Sequence, residues 1–391
     1  MSYEFSSEII SSIAKAIGNV KVSLHEPQFD DRDKEAMQDV IRSGFVSSQG
    51  PHLDQFELSL KQITGAKYAI CVTNGTAAIT LGLIASGIMP GEEVLVPSLT
   101  FVATGNAILQ ANAIPHFVET NSNNFGIDVT KLQDYLNKNS KLEDGQCVNI
   151  RTGKVISAIV PVHIFGHIGN ISELVKLAHT YNLKIIEDAA EALGSYKHGK
   201  HAGCFGQCGA LSFNGNKIIT TGGGGAVITN DSDLATTIRH LATTAKLPHR
   251  YEYNHDRQGF NYRMPSLNAA LGCAQISKLK HYLEEKKRLK NRYVKCFKNG
   301  SCCDFVENPI GSQSNNWLNA IKLVPEAAFA RDYILDALNN HGFGSRPIWK
   351  PLSELPHFSD CPSMNLPVTK DLASRIINIP SSPFLVRYNY D

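Results

Sequence analysis

The chain has 391 residues and a formal net charge of +2, with 42% apolar and 19% charged residues. These values are ordinary for a soluble globular protein, and the length allows one large domain or two. The near-neutral charge argues against nucleic acid as a partner, because nucleic-acid-binding proteins carry a basic surface. The nine cysteines lack the paired spacing of a metal site, so we expect free thiols in a reducing cytosol and no metal.

The N-terminus and the longest apolar run both argue against a membrane. The first eight residues contain acidic side chains and no basic one, whereas a signal peptide begins with basic residues. The apolar run 79–89 is too short to cross a bilayer and is broken by glycine. We therefore expect a cytoplasmic protein.

The first two thirds of the chain alternate helix-like and strand-like segments. Helices over residues 5–17 and 30–43 come first, with a short strand at 20–24 between them. Further strands are predicted at 68–72, 93–96, 114–118, 155–162 and 184–187. Helices between these strands are predicted at 55–65, 76–86, 103–110, 129–136 and 170–181. This alternation predicts an α/β fold with a mostly parallel sheet and helices on both faces.

The remaining third predicts a smaller C-terminal unit. One long helix over residues 266–297 would link it to the large sheet, and its charged stretch is typical of a solvated face. A strand at 318–323 and helices at 327–340 and 371–376 follow. We therefore divide the chain into an N-terminal helix or arm (1–30), a large domain (31–275) and a small C-terminal domain (276–391).

Lys217 lies in an unusual stretch of the chain. No other charged residue occurs between positions 210 and 230, and the neighbours are glycine or small polar residues. A lysine in such surroundings is a candidate for covalent amine chemistry, including a Schiff base. The alternative is an ordinary loop lysine between two strands.

Three other candidates follow predicted strands, where the ligand crevice of a parallel α/β sheet lies. The turn 75–77 opens a helix, so its amides would attract a phosphate, although Thr76 could simply be the N-cap. Phe101 could cover a planar cofactor or fill the core. Asp188 is predicted to be buried and to need a cationic partner, unless it caps a helix starting at residue 189.

His163 also follows a predicted strand, and we expect it to be a hydrogen-bonding residue that supports the site. The sequence contains no dinucleotide fingerprint, no Walker lysine and no HExxH motif. A plain dinucleotide-binding protein is therefore disfavoured.

Together these segments resemble the DegT/DnrJ/StrS family of nucleotide-sugar aminotransferases, and the resemblance extends from about residue 20 to the end. It implies the aspartate-aminotransferase fold (fold type I of pyridoxal phosphate enzymes), with a large mixed sheet and a smaller C-terminal α+β domain. The motifs that carry it are residues 74–78, 97–101, 187–192, 212–225 and 259–263.

The resemblance also implies a role for each site residue toward pyridoxal 5'-phosphate. Lys217 would bind the cofactor covalently and then move a proton, and Asp188 would keep the pyridine nitrogen protonated. Phe101 would stack on the ring, and Glu191 would lie near the phenolic oxygen. The phosphate would be held by Gly75, Thr76, Ala77 and Ser212, and by Asn261 from a second subunit, in a homodimer with composite active sites. The resemblance places His163 near the cofactor or the sugar and Asn214 at a sugar contact. Arg346, in a loop-like segment, could bind the diphosphate of the sugar nucleotide or could simply be a solvated surface residue.

The reaction implied is transfer of the amine of L-glutamate to C4 of a nucleotide-linked 4-keto-6-deoxy sugar. Surface-glycan pathways of the legionaminic, bacillosamine or perosamine type use such sugars. The sequence departs from the family pattern at two positions, of which the second concerns contacts to the sugar. The usual glutamate after the lysine is replaced within Gly222–Gly225, and Asn214 stands where relatives often carry histidine.

Four alternatives remain open on the sequence. They are a non-catalytic regulator that binds the same cofactor, a C3-specific sugar aminotransferase, a threonine-type aldolase and a cysteine desulfurase. The sequence shows no recognisable loop with a mobile catalytic cysteine, which counts against the desulfurase.

Overall fold

The computed structural model describes residues 1–387 and shows twelve α-helices and sixteen strands in that range. The helices are α1 (Ser2–Ile17), α2 (Asp31–Ser43), α3 (Pro51–Thr64), α4 (Gly75–Ala85), α5 (Val102–Gln110), α6 (Val129–Asn139), α7 (Ile171–Thr180), α8 (Ser232–Ala242), α9 (Ser266–Ile276), α10 (Leu279–Phe297), α11 (Arg331–His341) and α12 (Pro367–Arg375). The strands are β1 (Tyr68–Val72), β2 (Glu93–Pro97), β3 (Ile114–Val118), β4 (Ser140–Glu143), β5 (Gln146–Asn149), β6 (Val155–Ile159), β7 (Lys184–Asp188), β8 (Tyr196–Lys197), β9 (Lys200–His201), β10 (Cys208–Ser212), β11 (Gly225–Thr229), β12 (Cys303–Phe305), β13 (Ser312–Gln313), β14 (Asn319–Leu323), β15 (Arg346–Pro347) and β16 (Ile376–Ile379).

The large sheet has the strand order β1-β11-β10-β7-β6-β2-β3. The pairs from β10 to β3 along this order are parallel, whereas β11 runs antiparallel to both of its neighbours. The hairpin β4–β5 attaches to β6, and β13, β8 and β9 form a separate small sheet. The predicted α/β class with a large, mostly parallel mixed sheet is confirmed.

Successive side chains of β1 enter two different hydrophobic cores. Ala69 and Cys71 pack in one core, whereas Ile70 and Val72 pack in the other. Because neighbouring residues of a strand point to opposite faces, the sheet is buried on both sides under helices. This arrangement explains the nearly continuous apolar runs in the strand segments.

The C-terminal part of the chain forms a smaller antiparallel sheet in the order β12-β14-β16-β15. A third hydrophobic core joins this sheet to α10 and α11. The N-terminal helix α1 enters the same core through Ile9, Ile13 and Ile17, all fully buried. The domain boundaries near residues 30 and 275 stay a prediction. Among residues 1–387, no helix is long and apolar enough to cross a membrane.

The prediction of a single long helix over residues 266–297 is wrong. This segment forms two helices, α9 and α10, which are joined by Ser277 and Lys278. The Lys278 side chain is 5% exposed and its ammonium group bonds to the Asp33 carboxylate, which is 4% exposed. Asp33 also closes the capping box of α2 and accepts from Gln275. This buried tertiary contact fixes Lys278 at the junction, which helix periodicity cannot reveal.

Three shorter predictions also differ from the structure. The strand predicted at 155–162 ends at Ile159, and Val162 makes only an isolated bridge to Asp188. The strand predicted at 20–24 is reduced to one bridge between Val22 and Phe343. Residues 189–194 form turns and not a helix, so the capping role considered for Asp188 is wrong. In the two strand predictions, the local apolar run did not indicate where backbone pairing stops.

We predict that replacing Lys278 by methionine lowers the free energy of unfolding by about 3–5 kcal/mol, because Asp33 would stay buried without its cation. The matched control is Lys34→Met, which removes an exposed ion pair to Asp31 and should cost about 1 kcal/mol or less. Urea denaturation of both variants measures the difference. Equal losses in the two variants would contradict the role given to the buried pair.

Candidate active site

A cleft of about 240 Å³ opens beyond the carboxyl ends of β1, β2, β6, β7 and β10. A water molecule occupies roughly 30 Å³ in the liquid, so the cleft has room for an organic molecule. Its walls come from the loops after these strands and from two segments of the C-terminal third of the chain. Parallel α/β sheets place ligand sites at this edge.

Asp188 ends β7 inside the cleft and is 5% exposed. Its carboxylate accepts a hydrogen bond from Thr104 Oγ1 at 2.8 Å and one from the Ala190 amide at 3.1 Å. Burial raises the pKa of Asp188 above its ordinary value, and these donors oppose the rise. A carboxylate can accept about four hydrogen bonds, so Asp188 keeps acceptor capacity for a cationic partner.

The neighbouring carboxylate, Glu187, points away from the cleft and is fully satisfied. It is completely buried and accepts four hydrogen bonds. The donors are His163 Nε2 and the amides of Gly203, Phe205 and Gly206. The contrast shows that Asp188 alone of this pair is available to a ligand.

The start of α4 presents backbone amides to the cleft beside Ser212. Asn74 is the N-cap, because its Oδ1 accepts from the Ala77 amide at 2.8 Å, so the capping alternative considered for Thr76 is wrong. Gly75 and Thr76 line the cleft, whereas Ala77 does not. A Cβ on Gly75 would lie 3.0 Å from Ser212 Cβ, so the two loops approach closely only with glycine there. A helix N-terminus beside a hydroxyl group is suited to a phosphate.

Lys217 extends into the cleft with its side chain 13% exposed. Its Nζ lies 3.5 Å from Glu191 Oε1 and 3.9 Å from the centroid of the Trp317 ring. The stretch around Lys217 is uncharged in sequence, but the fold brings a carboxylate to its amine. This carboxylate belongs to Glu191 in the loop after β7, so the uncharged stretch around Lys217 does not make an uncharged pocket.

Phe101 lies at the mouth of the cleft and is 53% exposed. An aromatic ring that faces solvent at a cleft has not been placed there by core packing. Its ring centroid is 6.5 Å from that of Trp349. The position leaves one face of Phe101 free to cover a planar ligand.

The remaining predicted residues divide into one inside the cleft and three outside it. Asn214 lines the cleft. His163 lies behind the cleft and bonds to Glu187 Oε2 at 2.8 Å. Asn261 is exposed and pairs with Thr243, and Arg346 is exposed with its guanidinium bonded within the small domain. Within one chain, neither Asn261 nor Arg346 reaches the cleft.

Among the cleft residues that the sequence did not indicate, three bear on its chemistry. Trp317 and Trp349 are the only tryptophans in the chain, and both line the cleft although they lie more than 95 residues beyond Lys217. Thr104 was placed inside a predicted helix and given no role. The rarity of tryptophan was a usable signal, whereas Thr104 became visible only through its bond to Asp188.

The residues present fit pyridoxal phosphate. The cleft offers an amine for its aldehyde, a buried carboxylate for its ring nitrogen, and a helix start with a serine for its phosphate. The free acceptor capacity of Asp188 is the observation that supports this fit most directly.

The whole chain was compared with known proteins. The model of the DegT/DnrJ/EryC1/StrS aminotransferase family matches residues 27–389. The chain belongs to this family. It is 32% identical to a GDP-perosamine synthase of Caulobacter vibrioides over 372 residues, covering 95% of this chain and 96% of the relative.

Two further similar proteins are also aminotransferases. A UDP-4-amino-4,6-dideoxy-N-acetyl-beta-L-altrosamine transaminase of Campylobacter jejuni is 30% identical and covers 85% of each chain. The crystal structure of a family aminotransferase from Brucella abortus superposes with a TM-score of 0.82 at 30% identity, covering 90% of this chain and 91% of the other. The chain is thus a pyridoxal-phosphate-dependent aminotransferase with the fold expected from the resemblance.

We predict a pH dependence of stability in the cofactor-free protein that comes from Glu191. Burial raises the pKa of Glu191 to about 7, against the opposing effect of Lys217. A carboxyl group with a raised pKa stabilises the fold below its ordinary pKa, and this contribution is lost as pH rises through about 7. The loss is about 3 kcal/mol, since one pKa unit corresponds to about 1.4 kcal/mol.

Glu191→Gln should remove this loss, so the variant gains stability relative to the wild type between pH 4.5 and 8. Urea denaturation at several pH values measures the difference. Glu173→Gln, at an exposed position of α7, is the control and should follow the wild-type curve. A constant difference between Glu191→Gln and the wild type across this range would refute the prediction.

Proposed function

We propose that the protein transfers the amino group of L-glutamate to C4 of a nucleotide-linked 4-keto-6-deoxy sugar, for the biosynthesis of surface glycans. The observation that carries the proposal is the placement of the Lys217 amine and the buried Asp188 carboxylate in one cleft. An amine and a buried carboxylate at the two ends of one ligand are the groups that transamination needs.

Pyridoxal phosphate supplies an aldehyde that bonds to amines and a ring that accepts electrons from the reacting carbon. Lys217 holds and moves the proton at Nζ, and its amine is available whenever it is not bonded to the cofactor. Asp188 would accept a hydrogen bond from the protonated ring nitrogen through its free acceptor positions. Thr104 and Ala190 keep that carboxylate in place.

Other residues bind and shield the reactants. The amides of Gly75 and Thr76 and the hydroxyl of Ser212 are assigned to the phosphate, which a helix N-terminus stabilises. Phe101 covers the ring from the solvent side. Ala77 is a weaker candidate for a phosphate contact, because its amide already donates to Asn74 Oδ1.

The choice of a sugar nucleotide rests on the relatives. The names of two of them contain a nucleoside diphosphate sugar, and one specifies a 4-amino-4,6-dideoxy product. Asn214 lies in the cleft, where it can contact such a sugar. His163 supports the site from behind through Glu187, and Arg346 does not reach the cleft of its own chain.

We further propose a cytoplasmic homodimer with composite active sites. Asn261 is exposed in an extended segment that pairs with Thr243 and, through Arg263, with Val72 at the end of β1. A residue in that position is free to reach the phosphate of a second subunit. Size-exclusion chromatography with light scattering tests the assembly.

The substrate proposal is tested by incubating the protein with L-glutamate and 4-keto-6-deoxy sugars linked to GDP, UDP or dTDP. Product detection by mass spectrometry and the position of the amine by NMR identify the reaction. Amination at C3 would replace the C4 proposal. Absence of product with every sugar, in a protein that binds the cofactor, would support the non-catalytic regulator instead.

We predict that the protein with pyridoxal phosphate shows a visible absorption band that L-glutamate bleaches, and that Lys217→Ala lacks this lysine-dependent band. Lys176→Ala, which changes an exposed lysine of α7, should keep both the band and its bleaching. A wild-type protein that remains colourless with added cofactor would contradict the proposal that Lys217 bonds to the cofactor.

We also predict that Asp188→Asn lowers the turnover number by at least about 100-fold, as expected for loss of one preorganised electrostatic contact in an active site. Cofactor binding, measured by equilibrium dialysis, should weaken far less, because the phosphate contacts remain. Turnover within a few-fold of the wild type would argue against a bond between Asp188 and the ring nitrogen.

A further inference from the structure

Both tryptophans of the chain lie in the C-terminal third, and both line the cleft beyond the large sheet. Trp317 lies two positions before the first residue of β14, and Trp349 lies two positions after the last residue of β15. The small domain therefore supplies part of the wall around Lys217. Both rings line the cleft, but only the Trp317 ring contacts Lys217 Nζ. Trp349 can therefore serve as a control for Trp317.

The Trp317 ring contacts the amine of Lys217. Lys217 Nζ lies 3.9 Å from the ring centroid, and Trp317 is only 4% exposed. Cation–π contacts are stronger when they are removed from water. The carboxylate of Glu191 is the other partner, but its distance of 3.5 Å is long for a charged hydrogen bond, which is usually 2.7–2.9 Å. The ring thus contributes substantially to holding the amine.

Trp317 is itself held rigidly. Its Nε1 donates to the carbonyl of Asn216, the residue before Lys217, at 2.7 Å. Its backbone amide donates to Asn315 Oδ1 at 2.9 Å, and its carbonyl accepts from Lys286 Nζ at 2.6 Å. One side chain therefore contacts both the backbone beside Lys217 and the Lys217 amine.

The residues before Trp317 connect it to the opposite wall of the cleft. Asn315 Nδ2 donates to the carbonyl of Glu191 at 2.8 Å and to that of Leu193 at 2.9 Å. Asn316 has a φ of 51°, in the left-handed region, and its side chain donates to the carbonyl of Ser314. A left-handed residue other than glycine needs support from its surroundings. The segment 315–317 therefore has a fixed shape that joins the loops of Lys217 and Glu191.

We propose that Trp317 is a positioning residue for Lys217, with its ring holding the free ammonium group and its indole N–H holding the lysine loop. The amine then stays at the cleft during the part of the reaction in which it is not bonded to the cofactor. This inference rests on the role proposed above for Lys217, and it does not depend on the identity of the sugar.

The test uses the amine reactivity of Lys217 in the full-length, cofactor-free protein. A trace of isotopically labelled acetic anhydride is added, and acetylation of the peptide containing Lys217 is followed by mass spectrometry, with exposed Lys176 as internal standard. Trp317→Leu should acetylate Lys217 about tenfold faster than the wild type, which corresponds to about 1.4 kcal/mol. Trp317→Phe retains a ring and should stay within about threefold of the wild type.

Trp349→Leu is the control for access, because it also removes a tryptophan from the cleft wall but no contact to Lys217 Nζ. It should change acetylation by about twofold or less. If Trp317→Leu and Trp349→Leu accelerate labelling equally, access explains the effect and the proposal is overturned. Equal labelling in the wild type, Trp317→Phe and Trp317→Leu would overturn it as well.

Thermal unfolding first shows whether each variant is folded. If Trp317→Leu does not fold, Trp317→Met takes its place, because the flexible methionine side chain fills irregular core space. The labelling needs neither glutamate nor sugar. A protein that aminates no sugar but shows the expected labelling refutes the proposed substrate and leaves the role of Trp317 intact. A protein that aminates the sugar but does not show the expected labelling refutes only the role of Trp317.

Discussion

Asp188 and Ser212 reach the same edge of the sheet because β7 and β10 pair in parallel, with Asp188 opposite Ala210. This register places the buried carboxylate two residues from the serine loop that continues to Lys217. Gly209 in β10 permits the close approach of the loop at Gly203, since a Cβ there would lie 2.3 Å from the backbone of Gly203. A shift by one residue would point Asp188 to the opposite face, so the whole site depends on this register.

Alternation along β7 also separates two buried carboxylates into different roles. Glu187 faces the loop 203–206 and is saturated with donors, so it contributes to structure. Asp188 faces the cleft with only two donors and retains acceptor capacity. Burying a charged group is costly unless it is paired, so the incomplete pairing of Asp188 favours the role proposed above, in which a ligand takes the remaining acceptor positions.

The sequence allowed prediction of the parts of the site that follow strands. Asp188 and Phe101 could be found because strand ends share one edge of a parallel sheet. Lys217 could be found from its uncharged neighbours in the sequence, and Ser212 only from the resemblance to the family. The two tryptophans of the cleft, Trp317 and Trp349, could not be predicted. No periodicity in the sequence connects Trp317 to Lys217 across one hundred positions. The helix junction at Lys278 was missed for a similar reason, because its cause is the ion pair to Asp33, which is distant in sequence.

The C-terminal part of the chain thus contributes to the wall of the cleft as well as to the packing. Lys286 is completely buried, and burial lowers its pKa well below the ordinary value. The Lys286 side chain donates to two backbone acceptors, the carbonyls of Trp317 and Ser381. These bonds fix the backbone at Trp317 from within the C-terminal part of the chain. Movement of the small domain would displace the ring, so the position of the reactive amine is coupled to the packing between the two parts of the chain.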